Sequence, residues 1–368
     1  MSTSAVTQSE ERGLEDRVLI ERQGTAGHIR LNRPAALNSL SVDMVQALAL
    51  GLDVFEADPD IATVIVSGNG GRAFCAGGDI RALYDNGPDN TEPGVLFWRT
   101  EYLQNARISR FPKPYIALMD GITMGGGVGI SSHGQCRIVT PRTRLAMPET
   151  GIGFFPDVGG SWLLSHAPGE IGTYLGLTGL PIGAADAIYA GLADVCINEA
   201  DLSAITEAIA TLKAPASAES VMKIAASFAI PAGDSMLEQN RALIDRSFAH
   251  DAVEDILAAL AAEPTEFASQ THATLLSRSP TSLKLTLRLL RLARNNATLE
   301  ECLERELRAA SHVLLGHDFY EGVRAAIVDK DRNPQWKPNS LEQVSNRDIE
   351  SYFAPVAEPL FSSERAAQ

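Results

Sequence analysis

The sequence predicts an α/β fold whose C-terminal third is mostly helical, and three observations carry that prediction. β-rich runs alternate with helical stretches through the N-terminal part of the chain, and they vanish from about Leu202 onward. Two glycine-rich stretches, around Gly77-Gly78 and Gly125-Gly126-Gly127, read as turns, and the second opens a helix after a strand.

Taken in order, Val18-Leu-Ile20 and His28-Ile-Arg-Leu31 are short β-rich runs flanking Gly24 and Gly27, which reads as a hairpin. A helix should cover residues 42–56, with Ser41 as N-cap and Met44, Ala47, Leu48, Leu50 and Leu52 as a broad apolar face. Thr63-Val-Ile-Val-Ser67 is a buried strand ending at Gly68-Asn-Gly-Gly71. The alternation repeats with Pro114–Met119 as strand, the triple glycine opening a helix, Arg137–Thr140 as strand, and a helix after Gly159-Gly160. A layered α/β core follows, and periodicity alone does not distinguish a spiral of repeats from a doubly wound sheet. Beyond Leu202, Ala, Leu, Glu and Arg dominate, and Thr281–Arg294 is strongly helical in pattern. Ala214-Pro-Ala-Ser-Ala218 and Ile230-Pro-Ala-Gly233 are the linker candidates. The expected organisation is a disordered tail over 1–14, a catalytic core over 15–213, a helical region over 214–352 and a loosely ordered tail over 353–368.

With 45% hydrophobic and 21% charged residues the chain can bury a sizeable core. Its net charge of -15 opposes binding to nucleic acid or to an anionic membrane, so neither is expected as a partner. Residues 1–14 have neither a basic n-region nor an apolar run, and no segment approaches a membrane-spanning length; a cytoplasmic location is the expectation. Cys75, Cys136, Cys196 and Cys302 are far apart and lack metal-ligand spacing, which predicts buried reduced thiols and no metal site. Cys75, beside a glycine turn, could act as a nucleophile only with an activating base or cation nearby.

The chemistry-bearing residues cluster in three stretches: Phe74-Cys-Ala-Gly-Gly-Asp79, Met124-Gly-Gly-Gly-Val-Gly129, and Met147-Pro-Glu149 with Phe155-Pro-Asp157. Backbone N–H groups from two glycine turns can converge on one carbonyl oxygen, and carboxylates beside them can perform attack or proton transfer. Phe154-Phe155-Pro156 suggests an apolar wall that would raise the pKa of Asp157, while a cap on the following helix is the structural alternative.

These motifs, with Leu31-Asn-Arg-Pro34, Asn38-Ser-Leu40 and Pro112-Lys-Pro114, occur in the order seen in the crotonase (enoyl-CoA hydratase/isomerase) superfamily, which the chain resembles. Within it, Glu149–Gly160, Ser279-Pro-Thr-Ser-Leu283 and Asp318–Asp331 are most similar to the 3-hydroxyisobutyryl-CoA hydrolase branch. The resemblance implies a crotonase-like spiral of ββα repeats with an extended, mostly helical C-terminal region. It implies that Gly78 and Gly126 donate to the thioester oxyanion, that Glu149 is the catalytic carboxylate, as nucleophile or as general base, and that Asp157 assists. Glu101 would contact the acyl group, Leu37 and Asn38 would belong to the adenine loop, and Asp79, Ile80 and Arg81 would line the acyl-CoA path, with Arg81 or Arg33 meeting phosphates. Hydratases of the superfamily carry a Glu where this chain has Gly129, and the glycine is expected to leave room for a branched, hydroxylated acyl group.

The resulting expectation is an acyl-CoA thioester hydrolase acting on 3-hydroxyisobutyryl-CoA in valine catabolism. It would need no cofactor beyond the CoA of its substrate; the resemblance implies a homo-oligomer of the trimer type, with the enlarged helical C-terminal region covering that surface as the alternative. A hydratase or isomerase of the same fold, and a non-catalytic acyl-CoA-binding scaffold, are the alternatives.

Overall fold

The computed structural model of the protein describes residues 17–295 and 297–361. The expected tail over 1–14 and residues 362–368 lie outside the described residues. β1 (Val18–Gln23) and β2 (Ala26–Leu31) form the hairpin, antiparallel, with Gln23 opposite Ala26. β3 (Thr63–Gly68), β5 (Tyr115–Met119), β7 (Cys136–Val139) and β9 (Val195–Cys196) continue that sheet in parallel, in the order β1-β2-β3-β5-β7-β9. β4 (Ala73–Cys75), β6 (Ile122–Met124) and β8 (Arg144–Ala146) form a second parallel sheet in the order β4-β6-β8. Successive strands therefore alternate between two sheets, with helices inserted after β4, β6 and β8. That is a spiral of ββα turns, and a doubly wound single sheet is excluded. The central strands β3 and β5 read as near-continuous apolar runs because both faces of the larger sheet are covered. One face packs into the main core; on the other, Ile65, Ile116 and Ile138 meet Ile205, Ile209 and Val221 from the helices Leu202–Ile209 and Ala218–Ser227.

The expected helix over 42–56 runs Val42–Ala57, with two differences in detail. Ser41 stands at the N-cap position without a side-chain capping bond, and Leu50 faces solvent while Val45 and Phe55 complete the buried face. After β9 the described chain is helical or irregular apart from one isolated bridge at Ala229, and the helix Pro280–Ala293 starts from Ser279, whose hydroxyl accepts the Ser282 N–H. The main hydrophobic core joins buried residues from Val18 to Cys196 with those from Leu237 to Leu360, so the helices from Leu237 onward are packed onto the spiral in the same core, while the buried residues from Ile205 to Ala225 belong to the separate cluster on the other face of the larger sheet. The tail expected to be loose from 353 is pinned as far as it is described: Arg99 donates to the Glu358 and Pro359 carbonyls, the Leu360 N–H to Glu304, and Leu360 is buried.

Candidate active site

The site follows from the second sheet. β4, β6 and β8 are adjacent and parallel, so the segments that leave their C-terminal ends, 76–79, 125–126 and 147–149, emerge side by side. The first turn is stitched to residues 37–40: the Ala76 N–H donates to Leu37, the Leu40 N–H to Gly77, and the Asp79 N–H to Leu40. Gly77 has φ +105°, and a Cβ there would lie 3.6 Å from the Gly126 nitrogen, which shows how closely the two turns approach. A side chain at Gly78 would meet the Phe97 ring at 2.9 Å. Gly126 is the first residue of the buried helix Gly126–Ser132, where the N–H points out of the helix and the dipole favours negative charge. Among the described residues, neither the Gly78 nor the Gly126 N–H is given to a protein acceptor.

Three carboxyl groups face these turns across a cavity of about 410 Å3 lined also by Leu37, Ile80, Phe97, Trp98 and Ile327. Glu149 opens a short 3-10 turn, Glu149–Ile152, after Pro148, and its Oε1 stands 3.0 Å from where a Gly125 Cβ would be. Glu101 comes from the long helix Glu92–Ser109; a Cβ on Gly126 would be 2.2 Å from its Oε1, so only glycine lets this carboxyl and the second turn coexist. Asp157 follows Phe154-Phe155-Pro156 and accepts the Tyr102 hydroxyl at 2.7 Å. Glu101, Glu149 and Asp157 are 2%, 6% and 5% exposed, and no cation bonds to any of them among the described residues. Glu101 Oε1 and Glu149 Oε2 have no hydrogen-bond partner, leaving acceptor capacity open towards a ligand.

Burial without a counter-charge disfavours ionisation. Glu149 is held well above the usual carboxylate range, first by burial and then by the neighbouring Asp157 and Glu101 charges. Glu101 is raised by burial and by Asp157. Asp157 is pushed up to about 7 by burial, against the lowering effect of the Tyr102 hydroxyl and its own backbone N–H. The aromatic wall is real: Trp98 stacks on Phe154 at 4.9 Å, and Phe154 on Phe155 at 4.5 Å. Glu101 is accordingly not a surface acid.

The other expected residues divide. Leu37, Asp79, Ile80 and Arg81 line the cavity, while Asn38 does not. The Asn38 amide is fully buried, donating to the Asn69 and Ala73 carbonyls and accepting the Arg33 N–H, so its side chain braces the loop and is not available to a ligand. Asp79 is occupied by Arg33 at 2.8 Å and caps the helix Ile80–Asn86 through Ala82. Arg81 pairs with Asp85 at the surface. Cys75 is buried, with its thiol pushed up to about 12 by desolvation, which removes it as a nucleophile. Gly129 does not enlarge the cavity as expected: a Cβ there would meet Val158 at 2.7 Å and Asn105 at 2.8 Å, so those side chains fill the space.

Asp157 is not a helix cap. The next helix starts at Gly160 with Gly159 before it, and the residue between, Val158, holds φ +55°. A β-branched side chain in this left-handed region is strained, costing on the order of 1–3 kcal/mol. Tyr102 and the C-terminal contributors Glu306 and Ile327 were not foreseen. Glu306 lies 149 positions beyond Asp157 in sequence, and no local pattern marks it. The segments 279–283 and 318–331 act largely from behind. The Ser279 hydroxyl donates to Asp318 at 2.6 Å, and Gly153 and Gly322 let the helix His317–Val323 approach the Glu149–Ile152 turn backbone to backbone. Ile327, in the π-helical turn Arg324–Val328 that follows, reaches the cavity itself.

A spiral that alternates strands between two sheets is the architecture of the crotonase superfamily, and the two N–H turns and the carboxyl cluster lie together in its cavity. The family model for enoyl-CoA hydratase/isomerase matches residues 26–353, and the chain belongs to that family. It is 43% identical over 341 residues to the rat protein named 3-hydroxyisobutyryl-CoA hydrolase, mitochondrial, covering 91% of this chain and 88% of the relative. Among solved structures, a carnitinyl-CoA dehydratase from Mycobacterium thermoresistibile superposes with TM-score 0.88 at 41% identity, covering 94% of this chain and 98% of the other. An enoyl-CoA hydratase from Rhodobacter sphaeroides 2.4.1 superposes with TM-score 0.84, also at 41% identity, covering 92% and 98%.

Proposed function

We propose that this chain hydrolyses the thioester of 3-hydroxyisobutyryl-CoA to 3-hydroxyisobutyrate and coenzyme A, a step of valine breakdown. The observation that carries the reading is the Glu149 carboxyl facing two unpaired backbone N–H groups in one cavity, in a chain 43% identical to the rat hydrolase. In this mechanism the acyl carbonyl oxygen sits between the Gly78 and Gly126 N–H groups, which stabilise the negative charge that develops as the carbon becomes tetrahedral. Glu149, ionised, either attacks the acyl carbon to form an anhydride that water opens, or takes a proton from the attacking water. The CoA thiolate leaves with little acid assistance. Asp157 and Glu101 orient the acyl group and bind its hydroxyl. The reaction requires water and no further cofactor.

Two solved relatives are named a carnitinyl-CoA dehydratase and an enoyl-CoA hydratase, and the hydratase pattern carries a second Glu at the position of Gly129. No carboxyl stands there, and Val158 with Asn105 occupies the space. Thiol release from a panel of acyl-CoAs, beside loss of the enoyl absorbance of crotonyl-CoA, tests the assignment. Hydration with kcat/KM above that of 3-hydroxyisobutyryl-CoA hydrolysis would overturn it. A single turnover in 18O-water reveals the anhydride route when water opens the anhydride at the Glu149 carbon, because the first product then carries only unlabelled oxygen and the label is found in Glu149.

A cytoplasmic location and a trimer-type homo-oligomer complete the reading. Four free buried cysteines suit a reducing compartment, whereas the rat relative is named mitochondrial; cell fractionation decides. Among the described residues no helix is long and apolar enough to cross a membrane.

A further inference from the structure

We propose that Glu306 is a positioning residue for this reaction, holding the Asp157–Ser161 turn in the shape that aims the Asp157 carboxyl into the cavity. The proposal rests on the thioesterase reading of the site. Glu306 lies in the middle of the helix Leu299–Val313, in the C-terminal region, and is fully buried. Its Oε2 accepts the Gly159 N–H at 2.7 Å; its Oε1 accepts the Ser161 N–H at 3.0 Å and the Ser161 hydroxyl at 2.5 Å. No cation pairs with it among the described residues, so all its bonds go to this one turn.

The turn needs holding. Val158, between Asp157 and Gly159, sits at φ +55°, a conformation a β-branched residue does not keep unless its surroundings enforce it. Glu306 grips the residues after Val158. On the other side the Tyr102 hydroxyl holds Asp157 Oδ2 at 2.7 Å. His133, buried and neutral with its pKa lowered to about 4, donates its Nε2 hydrogen to the Val158 carbonyl at 2.8 Å. Asp157 is thus aimed by a clamp whose most distant jaw comes from a helix that does not itself reach the cavity. A buried carboxyl without a counter-ion is costly, but an apolar side chain in its place would leave the Gly159 and Ser161 N–H groups without acceptors. Its geometry, two acceptor oxygens spanning Gly159 and Ser161, suits the holding of a strained turn.

The test is a double-mutant cycle between Glu306→Gln and Asp157→Ala, read as kcat and KM for thiol release from 3-hydroxyisobutyryl-CoA. Glutamine keeps the shape but turns an NH2 group towards a backbone N–H. Expected is a kcat loss of at least about tenfold for Glu306→Gln with KM within about threefold, and no further loss when it is added to Asp157→Ala. Equal fractional losses in both backgrounds would show a general structural effect and overturn the proposal, as would a Glu306→Gln protein with wild-type kcat. A fully active Asp157→Ala protein would overturn the reading of Asp157 itself, and the positioning role with it. Should Glu306→Gln not fold, Ser161→Ala, which removes one of the three bonds, decides by the same pattern at about threefold. A loss confined to the background that retains Asp157 supports the clamp, and no loss or an additive one sinks it.

Discussion

Replacing Asp157 by Asn should make the protein more stable at alkaline pH while damaging its activity. Asp157 is buried without a cation, and its pKa rises from an ordinary 3.8 to about 7. A folded-state pKa above the unfolded one means that the folded protein binds the extra proton. The stabilisation is complete below about pH 4 and is lost as pH rises through about 7. At 1.36 kcal/mol per pKa unit, a shift of about three units sets a ceiling of ~4 kcal/mol for the cost of ionising this one group in the fold. Sharing of protons with Glu101 and Glu149 reduces what a single substitution recovers, so about 2 kcal/mol at pH 8.5 is the expected gain. Asparagine can still accept the Tyr102 hydroxyl, and its NH2 group can donate to a neighbouring carboxyl. For a chain of this length the gain corresponds to a Tm increase of a few degrees. Thermal unfolding of wild type and Asp157→Asn from pH 5 to pH 8.5 reads it directly. The Tm difference should open as pH rises; a difference that is constant across the range, or that favours wild type at pH 8.5, would refute the argument.

Glu149→Gln should lose thioester hydrolysis while still binding acyl-CoA, since shape is kept and the anionic oxygen is lost; retention of more than about a tenth of wild-type kcat, a barrier change under ~1.4 kcal/mol, would remove Glu149 as the catalytic group. Gly126→Ala should reduce kcat by about 100-fold or more, because the new methyl would lie 2.2 Å from Glu101 Oε1 and push the carboxyl and the N–H donor apart; near-wild-type turnover would show that this donor is not used. The acid limb of the kcat/KM profile should lie well above the usual carboxylate range, since Glu149 must be ionised to act and burial raises its pKa; a limb near pH 4 would contradict that environment. Isobutyryl-CoA should be a poorer substrate than 3-hydroxyisobutyryl-CoA, by up to ~10⁴-fold, because without the hydroxyl the buried Glu101 Oε1 stays unpaired; comparable kcat/KM for the two would show that the hydroxyl is not recognised.

Local sequence determined the parts whose cause is local. The hairpin at Gly24, the buried strand Thr63–Gly68, the glycine at the head of the helix Gly126–Ser132 and the helix Pro280–Ala293 each follow from a periodicity or a backbone requirement carried by neighbouring residues. The order of short motifs likewise pointed to Glu101, Glu149 and Asp157 before any of them had a position in space. Tertiary structure alone decided what those residues experience. Strand alternation between two sheets is invisible to periodicity, because β4, β6 and β8 have the same local pattern whichever sheet they join, yet it is this alternation that delivers three turns to one cavity. Asn38 carries the right residue type in the right motif but turns inward, since the loop's own carbonyls compete for its amide. Gly129 makes room for Val158, not for substrate. Ile327 reaches the cavity and Glu306 reaches the turn behind Asp157 from the C-terminal helices because burial brings together residues that the chain keeps far apart, and the raised pKa values of the carboxyl cluster exist only once water has been removed by that packing.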